Sequence, residues 1–302
     1  MTTFDYVLVT AARNEEKFIA STLQSVVQQT ILPRKWAIVS DGSTDRTDEI
    51  VSDFAREYAF ISLVRSSASG ARSFGAKVRA FRMGHEQLRN VSYDYVGNLD
   101  ADVSFAPDYF ERVFRHFQRI PKLGIGGGII HELISGTFVP QRTSLNSVAG
   151  AVQMFRRRCY EEIGGYVPLR YGCIDSAAEI MTRMHGWEVL TFADIAVRHH
   201  RRVSSGTGSM LKTIFRHGLG HHSIGYHPLF EVLRNAYGLT DRPYVLGSLL
   251  TTLGYFWAVA TRKEPGLPKE VVTYLRSEQM ERLLAMCRRG SLEAHAVGSR
   301  LE

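Results

Sequence analysis

The fold is best approached through Asn98-Leu99-Asp100-Ala101-Asp102-Val103. This segment follows an apolar run, Tyr93 to Val96, that predicts a buried strand, so two carboxylates one residue apart emerge where a parallel strand meets its loop. Hard oxygen ligands at a strand edge suit a magnesium or manganese ion, which then keeps positions open for phosphate oxygens. Taken alone, the triplet equally describes two solvated loop acids, because short motifs recur by chance. The surrounding pattern has to decide.

Outward from that stretch, to about Ser135, short apolar runs alternate with amphipathic segments, which argues for a parallel sheet covered by helices. Tyr6 to Thr10 is the first strand, and Glu15 to Gln29 follows as a helix with Phe18, Ile19, Leu23, Val26 and Val27 on its inner side. Pro33 precedes the second strand, Trp36 to Val39. The polar loop Ser40-Asp41-Gly42-Ser43-Thr44-Asp45 comes next, with Gly42 permitting a tight backbone and Asp45 capping a helix from Arg46 to Tyr58. Ile61 to Val64 is the third strand, feeding the loop Ser66 to Arg72 and a helix reaching about Arg89. The fourth strand carries the paired acids, and Pro107 opens the following helix. Polar loops, Ala11 to Glu15, Asp41 to Asp45 and Asp100 to Asp102, thus leave the carboxyl ends of three strands, where open α/β sheets place their ligand crevice. No Gly-x-Gly-x-x-Gly or Gly-Lys-Ser/Thr loop occurs, so a dinucleotide fingerprint or P-loop is unsupported. Gly124-Ile125-Gly126-Gly127-Gly128 lies within an apolar stretch and predicts a strand whose backbone is closely approached.

Bulk properties bound the partners. The 302 residues, 44% apolar, suffice for one large domain with an appendage or for two domains. An excess of 37 Lys and Arg over 30 Asp and Glu suits an anionic partner such as a nucleotide phosphate or a lipid headgroup. The basic runs Arg156 to Arg158 and Arg198 to Arg202 come without any nucleic-acid-binding signature, so no nucleic-acid partner is expected. Cys159, Cys173 and Cys287 lack metal-type spacing and fit reduced thiols in a cytoplasmic setting; Met1 to Thr10 shows no secretory pattern.

In order and spacing, Asn14-Glu15 after the first strand, Asp41-Gly42-Ser43-Thr44-Asp45 after the second and Asp100-Ala101-Asp102 after the fourth resemble the family 2 glycosyltransferases, whose catalytic domain has the GT-A fold. The likeness continues through Phe155-Arg156-Arg157, Ile163-Gly164-Gly165-Tyr166, Gly172-Cys173-Ile174-Asp175 and Gly186-Trp187-Glu188-Val189. It implies an α/β Rossmann-like mixed sheet over residues 1–205, followed by a helical C-terminal region over 206–302. The implied activity is inverting transfer from a nucleotide-diphosphate sugar to a glycan or lipid-linked acceptor, with Mn2+ or Mg2+, in bacterial surface-polysaccharide synthesis. Where the family usually has a Glu-Asp pair, this chain has Ile174-Asp175, so the base is retained without its acidic neighbour. The Gln-x-x-Arg-Trp motif of processive synthases is missing, which implies one sugar per encounter.

Chemistry assigns the roles. The departing β-phosphate needs a cation, and Asp102 is the leading ligand, with His200 or its neighbour His199 completing the shell as the resemblance implies. Asp100 would reach sugar or ribose hydroxyls, and Asp41 can accept from a base N–H. Glu15 would bond ribose or sit in the first turn of its helix, and Arg72 would meet the pyrophosphate or solvent. Ala11, Arg13, Ser69 and Ala101 complete the implied donor contacts. Asp175 would take the acceptor's proton, or cap a helix from Ser176 to His185.

Towards the end, Tyr244 to Ala260 is apolar but interrupted and barely long enough to cross a bilayer, which favours a packed or interfacial helix and a peripheral contact with the inner face of the membrane. Val271 to Met286 predicts an amphipathic helix, with fraying beyond Gly290. Two rival readings stand beside the transferase. One is a haloacid-dehalogenase-type phosphohydrolase, which wants Asp100-Ala101-Asp102 on the first strand of its core. The other is a catalytically inactive nucleotide-sugar binding module attached to a membrane or a partner.

Overall fold

The computed structural model describes residues 4–66, 74–141, 143–201, 210–237 and 245–298. The chain divides into two compact units, one comprising Met1–Arg170 with Ile174–Gly206, the other Tyr171–Cys173 with Thr207–Glu302. In the first, nine strands of the described residues form one sheet: β1 (Tyr6–Ala12), β2 (Lys35–Ser40), β3 (Ile61–Arg65), β4 (Tyr95–Asn98), β5 (Val103–Phe105), β6 (Leu123–Ile134), β7 (Thr137–Pro140), β8 (Met154–Arg156) and β9 (Glu188–His199). The order is β3-β2-β1-β4-β8-β6-β9-β5, with β7 on β6. The first four strands run parallel, so the carboxyl ends of β2, β1 and β4 lie side by side. β8 enters antiparallel between β4 and β6, which makes the sheet mixed.

Helices α1 (Ile19–Val27), α2 (Thr47–Glu57), α3 (Phe74–Glu86), α4 (Tyr109–Arg119), α5 (Arg157–Glu162) and α6 (Ile174–Met184) belong to this unit. Ile19, Leu23 and Val26 of α1 and Phe110, Phe114 and Phe117 of α4 meet Tyr6, Leu8, Trp36 and Ile38 in one buried cluster. Each such side chain contributes on the order of 1.5–3 kcal/mol by leaving water, and the indole of Trp36 is satisfied by Thr10 Oγ1 at 2.9 Å. The glycines of β6 admit close neighbours, as their apolar setting predicted: a Cβ on Gly127 would lie 2.6 Å from Val152 O, and one on Gly128 2.5 Å from Ile195 O.

Several boundaries differ from the sequence reading. β4 starts at Tyr95 because Asp94 N and Tyr95 N both turn to Asp5 O before the parallel register with β1 begins. α1 starts at Ile19, not Glu15, because residues 15–18 form a turn closed on Glu15 O, and the Glu15 N–H goes to Thr47 Oγ1 at 2.8 Å. Asp45 does hold the start of α2, accepting from Thr47 N at 3.0 Å and Thr47 Oγ1 at 2.6 Å. α6 begins at Ile174, which puts Asp175 inside the first turn and not at a capping position.

The second unit contains α7 (Met210–Ser223), α8 (Pro228–Tyr237), α9 (Val245–Ala260) and α10 (Lys269–Gly298). α10 continues past Gly290 through Ser291-Leu292-Glu293-Ala294, residues with no helix breaker among them. No described helix is long and apolar enough to cross a membrane.

Candidate active site

Three loops at the carboxyl edge of the sheet are tied to one another by their own polar groups. Asn14, after β1, has φ 55°, a left-handed conformation that asparagine tolerates. In that conformation its Oδ1 accepts from Thr44 N at 2.8 Å, and its N–H reaches Ser43 Oγ at 3.2 Å. Gly42, with φ 70°, supplies the tight turn between them. Asp41 leaves β2 half-buried, with Arg13 NH1 3.9 Å from its carboxylate. β1 separates β2 from β4, so Asp41 and Asp100 stand two strand spacings apart, roughly 10 Å. That span suits a nucleoside diphosphate laid across the edge.

Beyond β4, Asp100 Oδ1 accepts from Lys77 Nζ of α3 at 2.6 Å. Burial works against the charge on Lys77, but Asp100, and beyond it Asp175 and Asp102, hold its pKa above the ordinary value. Three of the sequence-predicted acids therefore act on one ammonium. Asp175 comes from α6 and rests on the loop before β8: a Cβ on Gly150 would be 2.9 Å from Asp175 Oδ2. The same loop is bound to the end of β4, since Gly150 O accepts from Asn98 Nδ2 and Ala151 O from Asp100 N at 2.9 Å. Only a glycine at 150 lets the carboxylate lie this close.

The loop has a buried support. Glu179, one turn along α6 from Asp175, accepts from Val148 N at 2.7 Å and Ser147 Oγ at 3.1 Å. Tyr166 OH donates to Gln153 Oε1 at 2.6 Å, and Gln153 Nε2 donates to Val148 O at 3.1 Å. Burial, with a smaller push from Asp175, raises the Glu179 carboxyl to about 7 against the hydrogen bonds that favour its charge.

Asp102 is buried beside Ala101. The register of β5 with β9 pairs Val103 with His199, which brings His199 Nε2 to 3.2 Å from Asp102 Oδ1. His200 turns the other way, with Nε2 2.8 Å from Ser104 Oγ. Of the two histidines read for the metal, His199 is therefore the one that faces Asp102. Arg201 lies between the loops, paired with Glu15 and with its Nε 3.3 Å from Asp102 Oδ2. Burial raises the Asp102 pKa, but His199, Arg201 and Lys77 outweigh it and hold the carboxyl below its usual range.

A divalent ion fits this donor set. Asp102 Oδ1 is buried without a hydrogen-bond partner among the described residues, although His199 Nε2 is close. An oxygen and a nitrogen about 3 Å apart match two neighbouring ligands of one octahedral ion. Among the described residues no group of three His, Cys, Asp or Glu could hold a metal, and Asp102 and His199 are the two that would serve, beside phosphate oxygens.

Ala11 lies near the end of β1 and Ala101 is buried between the two acids. Ser69 and Arg72 lie outside the described residues. Glu15 is buried and engaged by Arg201. In the run Arg156 to Arg158, Arg156 donates to Phe117 O and Leu123 O within the fold, while Arg157 and Arg158 make surface pairs with Glu161 and Glu162. Lys77, Arg201 and Glu179 were missed. Strand alternation offered the one available signal for the choice between the histidines, because Ile195, Val197 and His199 share a face of β9.

The family model for Glycosyl transferase family 2 matches residues 7–174. A poly-beta-1,6-N-acetyl-D-glucosamine synthase of Staphylococcus epidermidis is 25% identical over 173 residues, covering 51% of this chain and 40% of that protein. A beta-monoglucosyldiacylglycerol synthase of Synechocystis is 27% identical over 199 residues, covering 64% of this chain and 40% of its own length. The chain thus spans well under half of these curated relatives. Among solved structures, the mannosyltransferase PcManGT from Pyrobaculum calidifontis in complex with GDP-Man and Mn2+ superposes with a TM-score of 0.56 at 16% identity, over 97% of this chain and 81% of that one. S. aureus TarS 1-349 in complex with UDP-GlcNAc gives a TM-score of 0.54 at 15% identity, over 84% of this chain and 72% of that one. The architecture is the GT-A fold.

Proposed function

The chain belongs to glycosyl transferase family 2, and from that premise we propose that it transfers one sugar per encounter, with inversion, from a nucleotide-diphosphate sugar to a glycan acceptor carried on a lipid at the cytoplasmic face of a membrane. The synthases of a polysaccharide and of a glycolipid among its relatives support an acceptor in cell-surface glycan assembly. The observation that carries the reading is that Asp100, paired with Lys77 at 2.6 Å, and Asp102, 3.2 Å from His199, follow the end of β4, while Asp175 rests on the Gly150 loop that is bonded to that same strand end.

In this reading Asp41 accepts from an N–H of the base, and the diphosphate crosses the end of β1 towards Lys77. Asp102 and His199 would hold the Mn2+ or Mg2+, and such an ion would supply positive charge for the departing β-phosphate. Lys77 adds a second positive charge there and orients Asp100 towards the donor sugar. Asp175, rising from α6, accepts the proton of the acceptor hydroxyl as that oxygen attacks the anomeric carbon from the side opposite the phosphate. Glu179, Gln153 and Tyr166 hold the Gly150 loop against which Asp175 is set.

The test is nucleotide release and sugar transfer over a panel of donors with Mn2+ present. Asp175→Asn is expected to lower turnover at least about 100-fold while donor affinity stays within about twofold. Equal turnover in the variant refutes the role of Asp175. A wild-type chain that binds donors without turnover favours the inactive binding module instead. The phosphohydrolase reading is not supported, because the paired acids follow the fourth strand of the sheet.

A further inference from the structure

The helices α8 and α9 of the second unit are built with their polarity reversed. On α9, Leu246, Leu249, Leu253, Phe256 and Trp257 point outward, with Leu249 60% and Trp257 55% exposed. Its buried positions are Thr251, Gly254, Tyr255 and Ala258. At 100° per residue the five large side chains fall within a single arc of the helix, and the buried four fall opposite. α8 repeats the arrangement more sharply: Leu229, Val232, Leu233 and Tyr237 are exposed, whereas Glu231 is fully buried and Asn235 is 8% exposed. Glu231 accepts from Asn235 Nδ2 at 2.8 Å and faces His221 Nδ1 at 3.0 Å. Asn235 Nδ2 also reaches Thr252 Oγ1 at 2.9 Å, which sets the two helices side by side with their apolar faces adjoining.

A water-soluble helix turns its apolar stripe to the core and its charges to solvent. Here a carboxylate, an amide and hydroxyls are inside while leucine, phenylalanine and tryptophan are outside. That pattern minimises free energy when the outer medium is hydrocarbon, where polar groups must be satisfied internally. The helix contact agrees. α7 and α9 cross so closely that a Cβ on Gly218 would lie 1.9 Å from Thr251 O, and one on Gly254 2.1 Å from Phe215 O. Backbone approach through small residues is how helices associate when burying apolar side chains between them brings no gain.

The dimensions rule out a crossing by α9. Its 16 residues extend about 24 Å, short of a hydrocarbon core of about 30 Å. The charges fit a headgroup layer: α9 itself carries none, while Arg234 on α8, Arg262 just past α9, and Lys212 and Arg216 on α7 are exposed cations. Trp257 and Tyr237 are of the residue types enriched at membrane interfaces.

We propose that α8 and α9 lie in the plane of a membrane and sink their outward faces into one leaflet of an anionic bilayer. The proposal deepens the reading of a lipid-carried acceptor and rests on it for its purpose, since an enzyme held at the surface meets such an acceptor in two dimensions. Insertion itself follows from the second unit alone.

Flotation of the full chain with vesicles of phosphatidylcholine, with and without phosphatidylglycerol, tests it. Binding is expected on both and tighter on the anionic vesicles, with Leu249→Glu/Leu253→Glu/Trp257→Glu weakening it at least about tenfold. Melting shifts with nucleoside diphosphate and Mn2+ should match between the triple variant and wild type, showing an intact first unit. Independently, brominated lipid should quench the wild-type fluorescence, and Trp257→Phe should float normally and lose most of that quenching. A wild-type chain that stays in the aqueous phase or escapes quenching overturns the proposal. So does a solution dimer that the triple variant dissociates, which would make the face a contact between two copies. A chain that floats but shows no nucleotide-dependent shift keeps the membrane element and refutes the transfer reading; the opposite result does the reverse.

Discussion

At the scale of single residues, Asp175 and Glu179 divide the work of one helix face. Both project from α6, one turn apart; the first is half-buried on Gly150 and the second is buried beneath the loop that carries Gly150. Burial that lifts Glu179 to about 7 has a consequence for stability. An acid whose folded pKa lies above its unfolded value stabilises the fold while it is protonated. That contribution is complete below the unfolded value near 4.5, fades as pH rises through about 7, and is gone above it. Chemical denaturation at about pH 5 and pH 8 should show the wild type losing on the order of 3 kcal/mol across this window through this group. Glu179→Gln keeps an oxygen to accept from Val148 and should flatten that part of the profile; an unchanged slope in the variant contradicts the assignment. Asp175 could be recognised from sequence, but Glu179, Lys77 and Arg201 could not. A lysine in the second turn of a helix reads as solvated until the fold brings Asp100 to it. Asp41, Asp100 and Asp102 were recognisable, because an apolar run followed by a polar loop fixes them at a strand end.

At the scale of elements, β6 shows what a glycine run does inside a sheet. Gly127 and Gly128 sit where the Val152 and Ile195 carbonyls pass, and Gly126 where the Phe192 ring does. The apolar setting of the run already pointed to a crowded backbone and not to a phosphate loop. Gly127→Ala places a methyl group at 2.6 Å from a carbonyl oxygen of the loop just before β8, and overpacking of this kind typically costs about 1–3 kcal/mol. Thermal unfolding of Gly127→Ala should fall accordingly, whereas Gly136→Ala, with open space around its Cβ, tests only the strain of its φ of 85°. Equal stability of Gly127→Ala and wild type would mean that the Val148–Val152 segment moves freely, and the support of Asp175 would fail with it. The start of α6 was misjudged by two residues: Cys173, at φ 61°, carries the turn, so the helix begins before Asp175 and the acid needs no capping role.

At the scale of the molecule, the parallel half of the sheet was legible and the antiparallel half was not. Alternating strand and helix patterns determine β1 to β4, since crossovers of this kind give parallel neighbours. β8 and β5 are three residues each, too short for periodicity to register, yet one binds the Gly150 loop to β4 and the other brings His199 to Asp102. The tail was read as helical and apolar, but which side of each helix faces outward emerged only once α7, α8 and α9 were packed together. The transfer reading requires that Asp102 and its neighbours in the first unit bind a nucleoside diphosphate together with a divalent ion. Isothermal titration of UDP and GDP into the full chain, with Mn2+ and with EDTA, tests this most directly. One of the two is expected to bind only with Mn2+, and Asp102→Asn to weaken this binding at least about tenfold in a chain that still unfolds cooperatively, at a lower melting temperature because the ion pairs with Arg201 and His199 are lost. Binding indifferent both to Mn2+ and to the Asp102 substitution would contradict the transfer reading.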